Sequence, residues 1–155
     1  AIASMEYKKF SKLDFKKFHP SGSLGAKLRT VDDLMITGRG IPFIKENFTM
    51  KKALNLITKK KLGVSIVLDK KNNTCGIITD GQIRRSSQKN KDFSKALVKF
   101  IMTKNPISIQ KNTLAAKALS IMNEKKITSL CVYDKNKKKT IGIIHIHNIL
   151  GANIR

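Results

Sequence analysis

The chain writes one pattern twice, 65 to 67 residues apart. Met35 matches Met102 at an offset of 67, and Gly76-Ile77-Ile78 matches Gly142-Ile143-Ile144 at 66. Ala53-Leu54 matches Ala118-Leu119, and Asp69 matches Asp134, both at 65. Anchors within two residues of one offset mark an internal repeat, and a single unit is short for a core of its own. Each copy runs through the same order of patterns. A short strand, "PFIK" or "PISIQ", precedes a helix whose apolar positions are Ala53, Leu54 and Ile57, or Ala118, Leu119 and Met122. Thr49 and Thr113 are the expected N-caps of these helices. The strands "VSIVLD" and "SLCVYD" then pass through Lys/Asn turns into "CGIIT" and "IGIIH". A second helix begins near Asp80 and near Ile146. The expectation is an α+β fold of two β-α-β-β-α repeats packed face to face.

The net charge of +22 invites a nucleic-acid reading. Only five of the 32 basic residues are arginine, however, the side chain that makes bidentate contacts to guanine and phosphate. Lysine is scattered along the chain among Asn and Ile, as an A/T-rich coding sequence would give. The charge therefore reads as solvated lysine, and nucleic-acid binding is the weaker rival. No apolar run approaches the roughly 18–20 residues that span a bilayer, so no membrane association is expected. The stretch "IGIIHIHNIL" is short and carries two histidines. No signal-peptide pattern opens the chain, and it starts without Met, as a piece of something longer would. Cys75 and Cys131 lie in apolar β-like runs with no CxxC spacing, which points to buried reduced thiols and a cytoplasmic setting.

Ahead of the repeats stands "FHPSGSLG", Phe18 to Gly25. Glycines let a backbone approach an anion, and an imidazole can move a proton, so a loop of His19, Ser21, Gly22 and Ser23 suits phosphate chemistry. On the residues alone the commoner case is structural: Pro20 ends a helix and the glycines turn the chain.

Taken together, "DFKKFHPSGSLGAKL", "GIITDGQIRR", "IMTKNPISI" and "GIIHIHNIL" resemble one family. It is the tandem pair of cystathionine-β-synthase (CBS) domains at the C-terminus of arabinose-5-phosphate isomerases. The resemblance implies three parts: residues 1–30 as the helical tail of a sugar isomerase catalytic domain, 31–95 as the first CBS domain, and 96–155 as the second. The parent activity it implies is interconversion of arabinose 5-phosphate and ribulose 5-phosphate, an aldose–ketose isomerisation feeding Kdo and lipopolysaccharide synthesis. His19 would belong to the catalytic set, with its lysine and acidic partners in the preceding domain. The present chain alone is then expected to be inactive.

CBS pairs hold adenosine nucleotides between their repeats, with a G-h-h-T-x-x-D pattern whose Thr meets phosphate and whose Asp meets ribose. Here copy one keeps Thr79 but has Gln82 at the ribose position, and copy two has His145 and Asn148. An amide accepts a hydrogen bond without the charge that strengthens it. The expected ligand-binding set is Thr79, Asp80, Gln82, Arg84, Arg85, His145, His147 and Asn148. Arg84 and Arg85 could grip a carboxylate or phosphate, or simply face solvent. The expected ligand is an anionic nucleotide or sugar nucleotide of the CMP-Kdo type, acting as an allosteric effector rather than a cofactor. "HIH" places two imidazoles on one strand face but offers too few ligands for a closed metal site, so none is expected. A homo-oligomer is expected, with the Ala53/Leu54/Ile57 face or its counterpart available to pair with another chain. The main rival is an assembly module that binds no small molecule.

Overall fold

Short β-prone runs, with the central strands "VSIVL" and "SLCVY" buried along nearly their whole length, give each copy a small sheet with one parallel and one antiparallel pairing. The computed structural model of the protein describes residues 23–154. Two short helices, α1 (Ser23–Lys27) and α2 (Val31–Leu34), lead into β1 (Phe43–Lys45), α3 (Met50–Lys60), β2 (Val64–Leu68), β3 (Thr74–Thr79) and α4 (Asp80–Lys89). The short α5 (Val98–Ile101) and β4 (Thr103–Lys104) then lead into β5 (Ser108–Gln110), α6 (Ala115–Lys125), β6 (Ser129–Tyr133), β7 (Thr140–His145) and α7 (Ile146–Leu150). The expected β-α-β-β-α order is present in both copies.

The copies agree down to register. β1 pairs parallel to β2 through Ile44↔Val67, and β5 pairs parallel to β6 through Ile109↔Val132. The antiparallel partners β3 and β7 follow, with a register shift at Val67/Leu68 in one copy and at Val132/Tyr133 in the other. The fourth place in each sheet is filled reciprocally. β4, which leads into copy two, pairs with β3 of copy one through Ile77↔Thr103. Ile36, which leads into copy one, pairs with Ile143 on β7 of copy two. Val31 is fully buried in the core of copy two, and Val98 is fully buried in the core of copy one. Each core thus takes its first helix from the segment ahead of the other repeat.

This exchange explains how the long helices begin. Met50 N–H donates to the Ala96 carbonyl (2.8 Å) and Ala115 N–H to the Arg29 carbonyl (2.8 Å). A backbone oxygen of the crossing segment satisfies a first-turn donor that a capping side chain would otherwise serve. Accordingly Thr49 occupies the N-cap of α3 without a side-chain cap bond. The N-cap of α6 is Leu114 rather than Thr113, a correction of one residue. Thr113 instead offers its carbonyl to Val31 N–H (2.9 Å), holding α2 in place.

The apolar helix face also has a different use from the one expected. Ala53 is 0% and Ile57 5% exposed, and both lie in the core of copy one with Leu54 packed against it. Burial inside the chain leaves that face unavailable to a second chain. A third cluster of Ile41, Val64, Ile66, Cys131 and Ile143 joins the two copies. Both cysteines are free thiols, Cys131 buried in this seam and Cys75 half-buried. Burial pushes the Cys131 thiol up to about 12; burial and the Glu46 carboxylate push Cys75 up to about 12. Such thiols are inert as nucleophiles. Among the described residues, no helix is long and apolar enough to cross a membrane.

Candidate functional site

Leu62 and Ile77 pack on the seam between the copies and also line a cleft of about 520 Å³. Both repeats build it. Copy one supplies the approach to β2, the end of β3 and the start of α4, through Gly63, Thr79, Asp80, Gly81 and Arg85. The other wall is Thr103 with Asn105–Ile107, and Lys126–Ser129 together with His145 complete the cleft. Ile77, Ile107 and Ile127 make an apolar surface, Arg85 and Lys126 bring positive charge, and Asp80 brings a carboxylate. Apolar walls with a few placed polar groups are what a small-molecule site requires.

Local chemistry fixes these positions. Thr79 caps α4, its Oγ1 accepting from Gln82 N–H (3.4 Å), so the start of the helix sits at the cleft. α3 and α6 end on Lys61 and Lys126 in the left-handed region (φ 59° and 57°), which turns the chain sharply before β2 and β6. Gly63 has φ +67°, and a Cβ there would lie 2.7 Å from Asp80 Oδ2, so only glycine lets the Asp80 carboxylate close in.

Ser129 is the residue of greatest consequence. It lines the cleft, is 7% exposed, and its Oγ is a buried hydroxyl without a hydrogen-bond partner among the described residues. An unpaired buried hydroxyl costs about 1–3 kcal/mol, which a partner arriving in the cleft would recover. Its counterpart in copy one is Val64.

A smaller cleft of about 390 Å³ adjoins it, bounded by Lys61, Asp80, His145, His147 and Asn148 among others. The two imidazoles stack with centroids 4.8 Å apart. His145 Nδ1 accepts from His147 N–H (3.1 Å), and Asn148 Oδ1 accepts from His145 N–H (2.9 Å), so both side chains cap α7. Burial, then the neighbouring His147, hold the His145 pKa below the usual histidine value.

Of the eight residues singled out by sequence, Thr79, Asp80, Arg85 and His145 line the larger cleft. Asp80 and His145 also line the smaller one, with His147 and Asn148. Gln82 and Arg84 line neither. Arg84 is exposed on α4, while Gln82 Nε2 donates to the Ile101 carbonyl and ties α4 to the segment leading into β4. His19, Ser21 and Gly22 lie outside the described residues. Sequence reasoning missed Ser129, Lys126 and the Thr103–Ile107 wall. The repeat itself carried one signal: a serine aligned with Val64 in an otherwise apolar strand.

The model of the CBS domain matches residues 31–89 and 98–155. An arabinose 5-phosphate isomerase, KdsD, of Francisella tularensis is 39% identical over 157 residues, covering 100% of this chain and 47% of that protein. KdsD of Yersinia pestis is 35% identical over 155 residues, covering 99% and 47%. The chain therefore spans about half the length of these curated relatives. Among solved structures, CBSX2 of Arabidopsis thaliana, in complex with AMP, superposes with a TM-score of 0.68 at 27% identity, covering 80% of this chain and 95% of that one. With its two matched segments and its two-sheet architecture, the chain belongs to the CBS-domain family, as a tandem pair.

Proposed function

We propose that this CBS pair is the effector-sensing module of an arabinose-5-phosphate isomerase, and that the 520 Å³ cleft takes an anionic nucleotide or sugar nucleotide. The observation that carries the reading is the cleft built by both repeats, whose lining includes Ser129 with a buried hydroxyl that has no partner among the described residues. Ile77, Ile107 and Ile127 suit the flat face of a base, Asp80 suits sugar hydroxyls, and Arg85 with Lys126 suits phosphate or carboxylate. CBSX2, a 27% identical neighbour, is a complex with AMP. Relatives named arabinose 5-phosphate isomerase match over about half their length, so the isomerase activity belongs to the whole protein. In that protein His19 acts in proton transfer on the sugar phosphate, and the module reports the end product of the Kdo branch of lipopolysaccharide synthesis. Two inert thiols accord with a cytoplasmic setting. Self-association uses other apolar surface than α3, with Phe100 75% and Phe48 41% exposed.

The test is a calorimetric titration of the chain with CMP-Kdo, AMP, ADP and ATP at one salt concentration. A cytidine sugar-acid nucleotide binding more tightly than the three adenosine nucleotides supports the reading. Tighter binding of AMP or ATP refutes the choice of ligand. Absence of all binding at millimolar concentration leaves the module to assembly alone.

A further inference from the structure

The two Lys/Asn turns of the repeat, distant in sequence, are fastened side by side. Thr74 N–H donates to the Lys138 carbonyl (2.8 Å), and the Thr74 and Thr140 hydroxyls share a hydrogen bond of 2.5 Å. Lys139 Nζ donates to the Lys71 carbonyl (3.3 Å). Lysines of the 70–71 turn are thereby gathered with those of the 135–139 turn. The acids of these turns are already engaged. Asp69 accepts from the N–H groups of Lys71 (2.8 Å) and Asn73 (2.9 Å), and the Asn73 bond foremost holds its carboxyl below the usual range. Asp134 lies 3.8 Å from Lys111 Nζ.

Beside the turns is a hollow of about 190 Å³, bounded by Thr74, Asn105, Pro106, Ser108, Lys137 and Lys138 above the buried Cys131. Among the described residues its lining includes no carboxylate, whereas Asp80 lines the main cleft. The volume is far above the ~10–15 Å³ that admits one water. Asn105 and Pro106 border both spaces, so hollow and cleft adjoin at these two residues.

We infer that this hollow is a phosphoryl-binding site, in which Lys137 and Lys138 neutralise the anion while Thr74, Ser108 and Asn105 supply neutral donors. Ammonium, hydroxyl and amide groups are the donors phosphate oxygens take, and lysine binds phosphate as a point charge. The phosphoryl group has two sources. It is inorganic diphosphate, or it is the tail of a nucleotide seated in the main cleft, and the second source rests on the function proposed above.

The experiment is a calorimetric titration of the full chain with inorganic diphosphate, AMP and ATP near physiological salt. Three proteins are compared: the unaltered chain, Lys137→Gln/Lys138→Gln, and Lys89→Gln/Lys91→Gln as a control on exposed lysines outside the hollow. Unchanged melting temperatures establish that both variants are folded. Diphosphate should bind one per chain, about tenfold more weakly to the 137/138 variant and undiminished to the control. Loss of any ATP-over-AMP preference in the same variant identifies the nucleotide tail as the source; an unchanged preference identifies the free anion. Binding of diphosphate without any nucleotide binding upholds the hollow while refuting the nucleotide reading of the cleft. Equal weakening in both variants, many weak sites, or no diphosphate binding overturns the inference.

Discussion

A methyl group on Gly142 would lie 2.5 Å from Met35 Sδ, and its repeat counterpart Gly76 stands in the same relation to Met102. Each methionine crosses to the sheet of the other copy and lies over a glycine of its third strand. The glycine is needed for close approach rather than for an unusual φ. The two sites differ in what else crowds them. At Gly142 the Ile36 carbonyl also comes within 3.1 Å, and it is tied by accepting from Ile143 N–H (3.0 Å). At Gly76 the nearest atoms are Met102 Sδ, Cγ and Cβ; the outer two can swing away, but Cβ, at 3.1 Å, moves only with the backbone.

Gly142→Ala and Gly76→Ala should therefore each destabilise the chain by about 1–3 kcal/mol. Urea unfolding of the two variants measures this. Unchanged stability in either would show that the methionine there yields without cost.

The exchange of leading segments makes a prediction about where damage appears. Val31 precedes copy one but is fully buried in the core of copy two. Val31→Ala should lower stability by about 2 kcal/mol through lost apolar contact. Amide hydrogen exchange should then quicken chiefly in β5–β7 and α6, and Val98→Ala should do the same in β1–β3 and α3. Faster exchange confined to the copy nearest in sequence would contradict the reciprocal packing.

How much of this was legible in the sequence follows from what each residue answers to. The repeat was visible because Met35/Met102 and Gly76/Gly142 face equivalent surroundings, so the same residue types recur at offsets of 67 and 66. The exchange was not visible, because a segment that packs on its own repeat and one that packs on the neighbour carry the same apolar pattern. Thr113 misled for a related reason. A threonine ahead of a helix normally caps it, but the Arg29 carbonyl already served the Ala115 amide. Thr79, Asp80 and His145 came to the main cleft because they sit at the end of β3, at the start of α4 and at the end of β7, and Arg85 reaches it from the second turn of α4. Gln82 did not, since its amide found the Ile101 carbonyl instead.

His145 gives the fold a pH dependence of known sign. Its folded pKa lies below the ordinary value of 6.5, because burial and His147 disfavour the charged ring. Below that value the unfolded chain binds the extra proton more readily, so stability is full above it and falls as pH drops through it. Protonation also removes Nδ1 as the acceptor for His147 N–H. His145→Asn keeps an N-cap residue and removes the titration. Between about pH 7.5 and 5.5 its melting temperature should fall less than that of the unaltered chain. A parallel fall in both would remove His145 from the account.

Ser129→Val copies the residue that copy one carries at Val64 and removes the unpaired hydroxyl. Relieved of that buried group, the free protein should be as stable or slightly more so. Affinity for the cleft's ligand should fall by about tenfold. A variant that binds as tightly as the unaltered chain would mean that the hydroxyl meets no ligand.

The most direct measurement is a backbone amide NMR titration of the chain with CMP-Kdo. The ligand should shift amides of Asp80–Gly81, Thr103–Ile107 and Lys126–Ser129 together, at one saturable concentration, because these segments line the same cleft. Shifts spread evenly over the lysine-rich surface, or none at millimolar ligand, would contradict an effector site between the repeats.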